Sequence, residues 1–184
     1  MNFNAHSELI GKHALLSPSN YHWLNYDDDK MTDRFYSNQA TEIGTRKHAW
    51  AAETIALGIR QKKTRQTLNM YVNDAIAYGM TPEQPLYFSR NCFGTADALS
   101  FKKNLLRIHD LKTGVTPASL KQLEIYAALF CMEYKQEPGK IDMELRIYQN
   151  NEIISEVPNP DDIFHIMDTI VHLDKLLTKL QLEG

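Results

Sequence analysis

Residues 104–114 read NLLRIHDLKTG, an apolar run that carries a histidine, an aspartate and a lysine. As a strand over 105–112 it puts Leu106, Ile108, Asp110 and Lys112 on one face and Leu105, Arg107, His109 and Leu111 on the other, because side chains two apart in an extended chain point the same way. An aspartate and a lysine thus continue an inward-facing apolar row. Burying such charges is costly unless they pair with each other or bind something charged.

The preceding segment, CFGTADALSF at 92–101, also alternates, with Phe93, Thr95, Asp97 and Leu99 on one face. The polar turn KKN joins it to the next strand, and a strand over 86–90 precedes it, giving a three-strand meander. Pairing through KKN brings Asp97 and Asp110 close on adjacent strands, with Lys112 one step along.

After this meander, residues 117–136 return to helical spacing, with Pro117 in the first turn and Leu120, Leu123, Tyr126 or Ala127, Phe130 and Tyr134 on the buried side. Residues 141–148 alternate like a strand with one wet face, and Asn150-Asn151 offers a tight turn before Ile153. Asn159-Pro160-Asp161-Asp162 is a helix start, opening an amphipathic helix to about Leu180 that packs on the domain, with self-association as the alternative use. Upstream, SPSNYHWLNY suggests a capped short helix and DDDK at 27–30 a solvated turn. Helices are predicted over 45–61, with His48, Ala52, Ile55 and Ile59 on one stripe, and over 66–78.

The chain has 184 residues, 43% of them hydrophobic, and a net charge of −3, which suits one domain and gives no global pull toward nucleic acid or membrane. Two cysteines, Cys92 and Cys131, are too few for a disulfide framework and are read as reduced core thiols. The opening MNFNAHSELIGKH lacks a signal-peptide pattern and no long apolar run occurs, so a cytoplasmic protein off the membrane is expected. No GxxxxGK[ST] or G-x-S-x-G motif occurs, which argues against a nucleotide-driven machine and a serine nucleophile.

Two carboxylates and a lysine are what divalent-metal phosphodiester hydrolysis requires: hard oxygens hold Mg²⁺ or Mn²⁺, and the ammonium orients water or offsets phosphate charge. D-x-K alone is explained as readily by a structural ion pair. The surroundings add weight: Gln122 and Tyr126 stand at i and i+4 on the next helix, and His48 lies on the inward stripe of an early one.

Together G-T-A-D, D-L-K-T-G thirteen residues after the first aspartate, Q-L-E-I-Y, and the earlier G-T-x-x-H resemble the PD-(D/E)XK nuclease superfamily in its RecB-like branch, which includes many phage exonucleases. The resemblance covers roughly residues 17–150. It implies an α/β fold with a mixed sheet and an αβββαβ core, here one nuclease domain over 1–184 with its core at about 40–150 and a C-terminal helix at about 160–182.

By the same resemblance, Asp97, Asp110, the Leu111 backbone carbonyl and His48 hold one or two Mg²⁺ or Mn²⁺ ions. Lys112 is the catalytic lysine, Gln122 and Tyr126 position the strand or the DNA, and Gly94 and Gly114 make close approaches beside phosphate. The implied activity is a DNA exonuclease of phage type in recombination or replication, acting on single- or double-stranded DNA in the bacterial host cytoplasm, alone, as a homo-oligomer or with a recombination partner protein. A structure-specific or nicking endonuclease and a non-catalytic DNA- or protein-binding module are the alternatives.

The cysteines that hold an iron–sulfur cluster in some relatives are missing here, so no cluster is expected. Related chains often carry an acid one turn after the helix histidine, where this chain has Ala52; Glu53 lies about 140° round the helix from His48 and is read as solvated. Lys102, Lys103, Arg107 and Lys121, with Arg60, Lys62, Lys63 and Arg65, are candidate DNA-contacting charges or plain surface. Tyr21, Trp23 and Trp50 are read as core in preference to base-stacking groups.

Overall fold

The structure, a computed structural model, describes residues 14–183. The segment 1–13, on which the expectation of no targeting sequence partly rests, lies outside them. The chain divides into two compact units, Met1–Thr45 and Arg46–Gly184.

In the first unit, Pro18–Asn25 form a 3₁₀ helix. Ser17 does not cap it: its hydroxyl meets Ser19 Oγ at 2.8 Å, and its carbonyl accepts the Trp23 indole N–H at 2.9 Å. Tyr21 is 61% exposed, so it is not core. The run DDDK is a helix start, not a turn. Asp27 Oδ1 accepts the Lys30 N–H at 2.8 Å, and Asp28 and Asp29 lie in the first turn against the positive helix end, opening helix α1 over Asp28–Ala56.

In the second unit α1 stops before the expected point. Gly58 takes φ +67°, its N–H donates to the Ile55 carbonyl, and the Ile59 N–H donates to Thr54, a C-terminal pairing that only a left-handed residue allows at low cost. Ile59 therefore leaves the apolar stripe and is 53% exposed, while Ala51 and Ile55 are buried. Trp50 is exposed as well. Helix α2, Thr67–Tyr78, ends in the same way at Gly79, φ +57°.

Five strands follow: β1 Thr81–Ser89, β2 Cys92–Lys102, β3 Leu105–Leu111, β4 Asp142–Gln149 and β5 Glu152–Glu156, in the sheet order β1-β2-β3-β4-β5. The first three form an antiparallel meander; β3 and β4 are parallel, joined by helix α3, Lys121–Glu133; β5 returns antiparallel. Two-residue hairpins at Lys103-Asn104 and Asn150-Asn151 have positive φ at both positions, the geometry whose twist matches that of the strands. Pro82 and Pro85 confine β1 to an edge, since neither can donate to a second neighbour. The result is a mixed α/β fold with a five-strand mixed sheet.

Both faces of the sheet are covered. Leu106, Ile108, Leu145 and Ile147 pack with Leu123, Ala127 and Phe130 of α3 and with Ile163, while Ala98, Leu111 and Tyr148 pack with Tyr71, Val72 and Ala75 of α2 and with Ala51 and Ile55. Each face of β3 is thereby dry, which explains its unbroken burial from Ile108 to Leu111.

Pro117 lies ahead of α3, not in its first turn. The loop holding it is clamped by the buried Gln149 amide, which donates to the carbonyls of Gly114 (2.6 Å) and Thr116 (2.8 Å) and accepts from Ala118 N–H. Helix α4, Pro160–Glu183, opens with Asn159 Oδ1 accepting the Asp161 N–H at 3.0 Å, and Ile163 is its buried anchor. Among the described residues no helix is long and apolar enough to cross a membrane.

Candidate metal centre

The register of the meander assembles the site. The β1–β2 ladder pairs Pro82 with Ala98 and Gln84 with Ala96, which leaves Glu83 opposite Asp97 at an interruption between them. The β2–β3 ladder begins at Ala98 and His109, so the next position in register sets Asp97 beside Asp110. Three acids thus stand in one row across three neighbouring strands. Like charges facing across strands destabilise a sheet, and the ladders yield at this row.

Local geometry fixes each group. Glu83 has φ +47°, a left-handed conformation that costs a non-glycine residue about 1 kcal/mol. Asp97 Oδ2 accepts the Leu111 N–H at 2.8 Å and lies 3.4 Å from His48 Nδ1, which α1 delivers one turn before Ala51 and Ala52. Oxygens of Glu83 and Asp97 and a ring nitrogen of His48 all fall within 4.8 Å of one another.

Asp110 is 3% exposed. Lys112 Nζ stands 3.1 Å from its Oδ1 and 2.9 Å from its Oδ2, but only the first contact is aligned as a hydrogen bond, so Oδ2 is buried without a donor. Lys112 also donates to Gln122 Oε1 at 2.9 Å, and Gln122 Nε2 donates to the Tyr126 hydroxyl at 3.4 Å. Four side chains, from β3 to α3, form one polar chain.

The electrostatics report a surplus of negative charge. The hydrogen bond to Asp97 raises the His48 imidazole above its ordinary value, against the opposing effect of burial. Burial and then Asp97 raise the Asp110 carboxyl, with Lys112 only partly offsetting them. Glu83 is raised by the same two causes, and the buried Tyr71 hydroxyl is held well above its usual range by burial and by all three acids. Carboxylate oxygens with one imidazole form a donor set that suits Mg²⁺ or Mn²⁺, and Asp110 Oδ2, 2.9 Å from the Lys112 ammonium, accepts no aligned hydrogen bond from the described residues.

The structure therefore brings together His48, Asp97, Asp110, Lys112, Gln122 and Tyr126. Leu111 meets Asp97 through its N–H, whereas the sequence reading gave it a role through its carbonyl. Glu53 is exposed on α1 and outside the cluster; the third acid comes from β1 instead of the helix. Sequence reasoning missed Glu83 because prolines at 82 and 85 disguise the first half of β1. Counting back from the Ser89–Cys92 pair in strict register reaches Gln84; the one-residue shift between Tyr87 and Ser89 is what sets Glu83 opposite Asp97, and no local pattern announces it.

The close approach at Gly94 is to protein: a Cβ there would meet Tyr126 Cε1 at 2.9 Å. At Gly114 it would meet nothing within 4 Å.

The candidate DNA-contacting charges scatter. Lys102 donates to the Tyr78 and Gly79 carbonyls at 3.0 and 2.8 Å, so it closes the end of α2. It lies at the end of β2, about 16 Å along the strand from Asp97, and Lys103 is in the turn beyond it. Arg107 stands on the α2 side, its guanidinium 4.3 Å over the Tyr78 ring and 3.2 Å from Glu144. Lys121, paired with Glu124 at 2.7 Å, adjoins Gln122. Comparison with family models, with curated proteins and with solved structures finds no match for this chain, so the site is read from its own residues.

Proposed function

We propose that this chain is a divalent-metal-dependent deoxyribonuclease of the PD-(D/E)XK type, acting as an exonuclease. The observation that carries the reading is the row Glu83, Asp97 and Asp110 across three adjacent strands, flanked by His48 and by a lysine tethered to Asp110. The order α2, β1–β3, α3, β4 agrees with the αβββαβ core that the sequence motifs imply.

Asp97, Asp110, Glu83 and His48 would hold the ion. A bound Mg²⁺ or Mn²⁺ supplies Lewis-acid polarisation of the phosphodiester and lowers the pKa of water at neutral pH. The protein's own groups do the positioning. An ammonium has three hydrogens; Asp110 and Gln122 engage two on Lys112, leaving the third to donate to a phosphoryl oxygen or to the attacking water. Tyr126 fixes the Gln122 amide and so the direction of that third hydrogen. Such hydrolysis needs no covalent intermediate, in keeping with the lack of a nucleophilic serine motif.

The test is cleavage of end-labelled linear and closed circular DNA with Mn²⁺, Mg²⁺ or EDTA. Wild type is expected to degrade linear DNA only with a divalent ion, with Asp110→Ala and Lys112→Ala each slowed at least 100-fold, the scale of losing one preorganised charge-stabilising group. Wild-type inactivity under every condition, or variants that match wild type, contradicts the reading; cleavage of circles would move it to an endonuclease.

A further inference from the structure

Beside the acidic row lies a cavity of opposite character. It has a volume of about 390 Å³, within the size range of sites for small ligands, and its walls include Lys47, Thr67, Lys112, Thr113 and the turn residues Asn150 and Asn151. Among the described residues no carboxylate lines it, although the chain as a whole is net negative. It adjoins the candidate metal centre through shared residues: Leu111, whose N–H holds Asp97, and Lys112, whose ammonium holds Asp110.

The cavity is built from fixed parts. The Asn150-Asn151 hairpin is tied to the start of α2 by three contacts, Thr67 N–H and Oγ1 to Asn151 Oδ1 at 3.1 and 3.4 Å and Asn151 N–H to Thr67 Oγ1 at 2.7 Å. These bonds occupy the Thr67 groups, and Lys112 is tied to Asp110 and Gln122 with its third hydrogen assigned to the scissile phosphate or the water, so the donors left for a second phosphate are the Lys47 ammonium and polar side chains such as Thr113. Lys47 precedes His48 on α1, and neighbouring helix residues diverge by about 100°, so one turn presents an imidazole to the acids and an ammonium to the cavity.

We propose that this cavity is a phosphate subsite for the substrate strand, holding a phosphate group of the nucleotide next to the scissile bond, with Lys47 as its principal cation. The proposal rests on the nuclease reading for its substrate class, and it gives a site dominated by carboxylates a means of holding a polyanion beside them. Lysine serves such a site as a point charge on a flexible stem, adaptable to a terminal monoester or a chain diester.

Calorimetric titration in EDTA, with thymidine 5′-monophosphate, the dinucleotide thymidylyl-(3′→5′)-thymidine and thymidine as probes, tests it without any cleavage. The monophosphate or the dinucleotide is expected to bind at least tenfold more tightly than thymidine. Lys47→Ala should weaken that binding about tenfold, and Lys47→Arg should restore most of it. A preference for the monophosphate assigns the site to a strand end, and equal binding of the two phosphates assigns it to the running chain. Equal binding of all three probes, or a Lys47→Ala protein that binds as wild type does, overturns the proposal. Phosphate binding that passes these tests in a protein that cleaves no DNA would overturn the nuclease reading alone.

Discussion

Asp110 and His109 are neighbours on β3 and show how one buried strand treats two titratable groups. Asp110, on the α3 side, has the Lys112 ammonium against both its oxygens; His109, on the α2 side, is fully buried, with Nε2 unpartnered among the described residues and Nδ1 3.3 Å from the Tyr148 hydroxyl. Burial, then Arg146 and Arg107, push the His109 imidazole down to about 3 from 6.5, so it stays neutral in the folded protein. Between those values the unfolded chain binds a proton that the folded chain does not, so stability must fall as pH falls through this window, by at most about 1.4 kcal/mol per pH unit from this one group. His109→Gln is therefore expected to flatten the decline of Tm between pH 6.5 and 4. An unchanged slope would mean that His109 is protonated in the fold.

At the scale of elements, the site is a product of hairpin register and one crossover. That β2 pairs with β3 was legible in NLLRIHDLKTG from its alternation, but the register was not: a three-residue KKN turn would set Asp97 opposite His109, and the two-residue Lys103-Asn104 turn sets it opposite Asp110. Helix α3 was legible from the helical spacing of Leu120, Leu123 and Phe130. The start of β1 was not, since prolines mask an edge strand, and the DDDK helix start was not, since consecutive acids read equally as a loop until Asp27 is seen to cap the chain that follows. The same packing makes Gly94 a mechanical part of the centre: β2 passes so close to α3 that a methyl group there must displace Tyr126. Gly94→Ala should lower kcat about tenfold or more through the Tyr126–Gln122–Lys112 chain, since ångström displacements cost that much. The loss should vanish when the same change is made in a Tyr126→Ala background; additive losses would show that Gly94 acts by another route.

For the molecule as a whole, composition said least: a net charge of −3 gives no hint that a two-lysine cavity sits beside three acids. The sequence motifs pointed to Asp97, Asp110, Lys112 and His48, which lie together in the fold, while Glu83 and Lys47 stand beside them through register and helix phase and not through a local pattern. If the acidic row with His48 holds a divalent cation, the metal-free protein takes up Mn²⁺, which calorimetry or loss of the free-ion spin-resonance signal measures. Saturable binding of one or two ions is predicted, weakened at least tenfold by Asp97→Ala and to a lesser degree by Glu83→Gln, with Tm rising by the linkage expected of a ligand that binds only the folded state. Failure of wild type to take up Mn²⁺, or equal uptake by Asp97→Ala, would contradict that role for the row.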